Sequence, residues 1–218
     1  MRYIFSSYNY DLSDPASIPN LFLQHLYLVG TSLIIAIIIA IPLGILISRY
    51  RKFYLPVIAI ADILYTIPGI ALVGILITLF NTGSATIIIP LVLYAQLVLI
   101  RNTTTAIDAI DPLLLEVGRA MGMNSTQLFF RVILPLAIPV IIAGIRIVTV
   151  TSIGIASLAA LVGQGGLGTL VFSNLSSFDF DAISAGAILM AAFAVVADLV
   201  LLGVQTLLSR GRSVGSLA

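Results

Sequence analysis

The sequence predicts an all-α, polytopic membrane protein. It has about five transmembrane helices, the N-terminus outside and the C-terminus in the cytosol. Three observations carry this. Of 218 residues, 60% are apolar and only 9% charged, where soluble domains carry about 45–50% and about 25%. The apolar residues gather in stretches close to the ~20 residues that a helix needs to cross a bilayer. Lys and Arg fall almost wholly on one side of those stretches, as the positive-inside rule requires. With a mean hydropathy of +1.19, a water-soluble enzyme is excluded, because a folded chain of this size keeps a large wetted surface. Seventeen Gly, nine Pro and no Cys fit neither collagen nor a disulfide framework. A net charge of +1 supplies no field that would gather nucleic acid.

The first span is expected over residues 26–48. Residues 1–21 before it are mixed and polar (Asp11, Asp14, Pro15, Pro19) and form an outside segment. They lack the basic start and short apolar run of a cleaved signal peptide. The second span covers residues 54–80 and holds Pro68-Gly69, so a kink or break is predicted there. The third, residues 85–100, is short and contains Pro90. The fourth starts near Ile133 and ends before Gly163, longer than a membrane needs, which predicts tilt or an end outside the bilayer. The fifth covers residues 182–208. Arg49, Arg51 and Lys52 follow span one, Arg101, Arg119 and Arg131 lie between spans three and four, and Arg210 and Arg212 follow span five. All fall on one side, against Arg2 alone on the other, which sets the orientation.

The largest cytosolic segment, residues 101–132, is too long for a turn and too polar for lipid. Asp111-Pro112 reads as a helix start, with Asp capping orphan N–H groups and Pro in the first turn. Leu113, Leu114, Val117, Ala120 and Met121 then share one helical face. Glu116 and Arg119 sit three apart, spaced for a weak pair, and Gly122 is the stop. Ser125 or Thr126 is expected to cap a second short helix running into Leu134-Pro135. Such an apolar face packs on the chain's own helices, lies in the lipid interface, or docks into a groove on a cytosolic protein.

The run Glu116-Val117-Gly118-Arg119-Ala120-Met121-Gly122, followed after nine residues by Val132-Ile133-Leu134-Pro135, resembles the EAA motif of ABC importer permeases. Glu116, Gly122, Leu134 and Pro135 match that pattern. Val117 and Gly118 replace its two alanines, and Val132 its isoleucine. The resemblance extends over about residues 22–205, taken as the transmembrane domain, with a cytosolic tail from 206 to 218. Tyr65-Thr66-Ile67-Pro68, Arg101-Asn102-Thr103, Ala143-Gly144-Ile145-Arg146 and Gly165-Gly166-Leu167-Gly168 look most like permeases for glycine betaine, carnitine and choline. The resemblance implies a type I importer fold and a coupling helix at residues 113–121 that docks on a cytosolic ATPase subunit, two of which serve the assembly. It also implies a second permease copy or sister, an external solute-binding protein, and ATP with Mg on the partner. The sequence itself has no phosphate-binding loop: its only Lys, Lys52, follows Arg51 rather than Gly.

Other patterns weigh less. Residues 163–168 formally match G-x-G-x-x-G, but an apolar helix precedes them where dinucleotide binding needs a strand. They are expected to form a flexible outer loop where helices approach closely. His25 is the only His; it builds neither a zinc site nor a triad and is expected at the membrane interface. No catalytic or metal-binding set emerges, so the chain is not expected to be an enzyme. Ionisable groups within spans are costly and mark functional sites. Asp62, Arg146 and Asp198 qualify. Similar depths allow Arg146 to pair with Asp62 or with Asp198, either orienting helices or lining a gate. Tyr65 and Tyr94 are aromatic candidates for a solute path. The alternatives are an importer for amino acids such as methionine and, in another class, an ion-coupled secondary transporter. The latter often shows inverted repeats, and no internal repeat is visible here.

Overall fold

The computed structural model describes residues 2–209, and every regular element among them is helical. Arg210 and Arg212, and most of the expected tail, lie outside the described residues. A short helix α1 (Arg2–Phe5) and a 3-10 turn (Ser7–Tyr10) precede α2 (Ile18–Arg49). Asp11 accepts from the Ser13 N–H and hydroxyl, which hold its carboxyl below the usual value. Pro19 in the first turn fixes the start of α2. That helix is 32 residues, about 48 Å at 1.5 Å per residue, so it begins eight residues before the expected span, within the segment read as external.

The second span is broken rather than kinked. Helices α3 (Tyr54–Thr66) and α4 (Gly69–Phe80) meet at 92°. Pro68 has no N–H to give, and Ile67 before it is held extended at ψ 125. Helix α5 (Ala85–Asp108) follows, then α6 (Pro112–Ala120) and α7 (Ser125–Leu128). A π-helical turn (Phe129–Ile133) leads into α8 (Leu134–Ala156). Here the Leu134 N–H reaches back five residues to the Phe129 carbonyl, widening the turn just before Pro135, whose ring cannot continue the ladder. A 3-10 turn (Ser157–Val162), the short α9 (Gly168–Phe172) and α10 (Phe180–Ser209) complete the chain.

Helix α5 is the hub, and most of its apolar residues, from Ile87 to Ala106, are buried. Leu28 and Val29 of α2 pack with Ile87 and Leu91 of α5, and Ile47 lies in one cluster with Leu99 and Ile100; the two helices therefore run parallel. Close approach is made possible by Gly44, where a Cβ would stand 2.7 Å from that of Thr103. On α8, Ala137 meets Ala106 and Ile153 meets Ile87, so α8 runs antiparallel to α5. Helix α10 is antiparallel to α8, since Arg146 bonds Asp198 and Gln205 bonds the Pro139 carbonyl. Parallel α2 and α5 require the bent α3–α4 pair to carry the chain back across. The pair therefore counts as one crossing, and the total is five.

Arg49, Arg51 and Lys52 gather where α2 ends, and Arg119 and Arg131 lie in the segment beyond α5. Arg51 pairs with Asp108 there, closing the basic end. Arg101 does not belong to the loop, as the sequence had implied: α5 continues to Asp108 and keeps Arg101 two turns inside. The polar run Thr103-Thr104-Thr105 read as loop, yet Thr104 bonds its hydroxyl back to the Ile100 carbonyl at 2.8 Å. Both Thr103 and Thr104 are buried; the Thr104 hydroxyl is satisfied within the helix, whereas the Thr103 hydroxyl finds no partner among the described residues.

Candidate functional site

At the basic end, α6 is built as its sequence dictates. The Asp111 carboxylate accepts from the Leu113 N–H at 2.8 Å and Pro112 fills the first turn. Gly122, at φ +81, ends it. The Met123 N–H reaches the Gly118 carbonyl and the Gly122 N–H that of Arg119, a Schellman closure that leaves few carbonyls unpaired. The next cap falls on Asn124, one residue before the Ser125 expected. Asn124 accepts from the Gln127 N–H and its own N–H donates to the Gln127 side chain, a reciprocal box that neither Ser125 nor Thr126 forms.

The two sides of α6 differ sharply. Leu113, Leu114, Val117 and Met121 are exposed, Leu113 and Met121 by 61% and 73%; Ala120 on the same face is exposed as well. Gly118 alone is buried on this helix: a Cβ there would come within 2.6 Å of the Leu128 side chain. Leu115 and Arg119 turn toward a cleft of about 860 Å³ shared with Ser48, Ile107 and Phe129. The chain thus holds α6 by its Gly118 side and leaves the apolar face uncovered. Glu116 is exposed and makes no ion pair with Arg119, whose side chain turns to the cleft instead. Leu134 and Pro135 are half-buried where the π-helical turn enters α8, and so fix the root of the α6–α7 segment rather than its exposed face.

Besides Arg51–Asp108, ion pairs form at Arg146 and at Arg101. Arg146 takes both oxygens of Asp198 through Nε and Nη2, each at 2.8 Å, and donates from Nη1 to Gln205 at 3.0 Å. Gln205 in turn donates to the Pro139 carbonyl. This network fastens the C-terminal half of α10 to α8, while Phe193, Ala194 and Ala197 pack against the core nearer its start. Asp62 does not pair with Arg146. It takes Arg101 Nη2 on both oxygens, at 2.8 and 2.6 Å, because Arg101 lies inside α5 at a matching depth. The sequence reading missed Arg101 by assigning it to a loop. Tyr65 and Tyr94 meet edge to face, with centroids 5.8 Å apart. Tyr94 donates its hydroxyl to the Ile67 carbonyl at the helix break and is buried, whereas Tyr65 stays 46% exposed.

At the opposite end, His25 is not interfacial but wholly buried. Its Nε2 lies 3.0 Å from the Ile153 carbonyl, and the Leu167 N–H donates to Nδ1 at 3.2 Å. One ring nitrogen accepts, so the other carries the proton and donates to Ile153. The neighbouring Gln24 accepts from the Gly166 N–H at 3.0 Å. The glycine-rich loop at residues 163–168 is therefore pinned by two adjacent α2 side chains rather than free. Gly165 and Gly166 have φ of +70 and +81 and lie against Gln24 and His25, which leaves no room for a side chain. The signal for this was a buried-type polar pair, Gln24-His25, at the head of an apolar run.

Comparison with known proteins bears on the family and the fold. Residues 32–214 match the family described as "Binding-protein-dependent transport system inner membrane component". Among curated relatives, the "Osmoprotectant import permease protein OsmW" of Salmonella typhimurium is 40% identical over 92% of this chain and 96% of its own length. The "Glycine betaine/carnitine/choline transport system permease protein OpuCD" of Bacillus subtilis is 42% identical over 83% of this chain and 79% of that protein. Among solved structures, an inward-facing conformation of the MetNI methionine ABC transporter superposes with a TM-score of 0.76. It is 24% identical and covers 86% of this chain and 94% of the matched one. That likeness concerns the fold.

Proposed function

We infer function from membership: the chain belongs to the binding-protein-dependent transport system inner membrane components, so it is a multi-pass membrane permease. Its solute is an osmoprotectant of the quaternary-amine class. Support comes from relatives at 40–42% identity that are named for osmoprotectant, glycine betaine, carnitine and choline transport. The resemblance to the methionine transporter lies in the fold and transfers no substrate. A secondary transporter is displaced by the family match.

The observation that carries the mechanism is the uncovered face of α6. A nine-residue helix is too short to be stable alone. The chain anchors it through Gly118 and still leaves Leu113, Val117 and Met121 in solvent. Such a helix is a handle for a groove on another protein. In this reading the basic end is cytosolic and α6 seats on an ATPase subunit. Two ATPases grip two permeases, held as a pair of copies or as sisters. A binding protein delivers solute at the end that carries His25. ATP and Mg belong to the partner, and nucleotide-driven closure draws the two α6 helices together. That can switch access only if the closed ATPase pair holds one permease state better than the other.

The test is uptake of labelled glycine betaine by cells that depend on this permease with its ATPase and binding protein. Leu113→Asp with Val117→Asp should abolish uptake and ATPase co-purification while the chain still inserts in the membrane. Undiminished uptake would refute docking through α6. Normal uptake of an amino acid with none of betaine would refute the solute class.

A further inference from the structure

We propose that the strip formed by Asp62, Tyr65, Thr66 and Arg101 lines a water-filled path through the membrane, with the Arg101–Asp62 pair as a charged constriction in it. The Arg51–Asp108 pair marks the basic end of the helices. Asp62 stands eight residues beyond Tyr54, the start of α3, about 12 Å along the axis. Arg101 stands seven residues before Asp108, the end of α5, about 10 Å. Two independent helices therefore place the pair at one depth, inside the apolar layer.

At that depth the pair is not enclosed. The side chains of Arg101 and Asp62 are 48% and 44% exposed. Only Arg101 Nη2 is engaged by Asp62, and Nε and Nη1 meet no acceptor among the described residues. The contrast is Arg146, all three of whose guanidinium nitrogens are bonded. One turn deeper, Tyr65 presents its ring and hydroxyl, and Thr66 is exposed at the 92° break. Unpaired guanidinium N–H groups and an interrupted helix do not face hydrocarbon; at membrane depth they occur against protein or a water-filled cavity. The opposite side of α3 carries Ile60, 60% exposed, and suits lipid. A solute crossing this strip passes a carboxylate, a guanidinium with two unused nitrogens, and a tyrosine ring. That combination meets both poles of a zwitterion.

The inference rests on the permease reading for the direction of solute but not for its test. The chain contains no cysteine, so single thiols report cleanly. Thr66→Cys, Tyr65→Cys and Ile60→Cys are placed in the complete complex in membrane vesicles and exposed to a membrane-impermeant cationic methanethiosulfonate. Thr66→Cys leaves the ion pair and both tyrosines intact. A thiol facing water ionises while one in hydrocarbon keeps its proton, so Thr66→Cys and Tyr65→Cys should react about tenfold or more faster than Ile60→Cys. Equal rates at all three positions would overturn the proposal. So would slow labelling at 65 and 66 with cross-linking there to a second copy, which would mean a dry interface. Co-purification of the ATPase, followed in the same vesicles, separates this outcome from failure of the permease reading.

Discussion

His25 and Gly118 show how single residues position distant segments. His25 ties α2 to the Ile153 carbonyl and the Leu167 N–H. Removing it leaves a buried donor and a buried acceptor unmatched and opens a cavity beside Phe193, whose ring meets it edge-on. His25→Ala should therefore destabilise the chain by about 3 kcal/mol and admit protease at residues 163–168, read as a lowered melting temperature and a new cleavage product. An unchanged melting temperature would mean that the two bonds contribute nothing. Gly118 makes a sharper case. The atom that an added Cβ would meet is the far end of the Leu128 side chain, which can swing away, and alanine gains about 1 kcal/mol of helix propensity over glycine. Gly118→Ala should thus preserve uptake, while Gly118→Leu should dislodge α6 and abolish it. Equal effects from both would contradict the packing described. Asp111, Pro112 and Gly122 were legible from their caps and stop, because those roles depend on local backbone chemistry. The burial of His25 was not, since it depends on a loop more than a hundred residues away.

Among the elements, the close pairing of α2 with α5 depends on Gly44, where both the Thr103 side chain and the Ile100 carbonyl approach. Gly44→Leu should force the helices apart at a cost of about 1–3 kcal/mol, measured as reduced thermal stability of the purified complex. A neutral result would show that the helices separate freely. Helix α10 depends on its polar tether instead. Asp198→Ala leaves Arg146 uncompensated and should lower the melting temperature, and the exchange Arg146→Asp with Asp198→Arg should recover part of the loss. Five apolar stretches and the break at Pro68 could be read from hydropathy and Pro-Gly spacing. The size of the bend could not, because proline removes a hydrogen bond without fixing the direction the chain then takes. Nor could the length of α5: three consecutive threonines carry a loop-like composition, and the burial of Thr103 and Thr104 beside Gly44 shows only in the fold.

At the scale of the molecule, one subunit shows two uncovered features with different demands. The apolar face of α6 lies outside the spans, and the polar strip around Asp62 lies within them. Under the proposed function the first seats on a partner beyond the membrane, and under the further proposal the second lines an aqueous path inside it. The overall class was legible because bilayer thickness and charge asymmetry impose strong constraints on sequence. The partner expected on the α6 face came only through resemblance, since an exposed leucine looks the same whatever covers it. The most direct test places a photo-cross-linking residue at Val117, on the exposed face, and in a second variant at Leu115, on the cleft side. Illumination of the assembled transporter in native membranes should yield an adduct with the ATPase from position 117 and none from position 115. Adducts from 117 to lipid or to the chain's own helices, with none to the ATPase, would contradict the coupling role of α6.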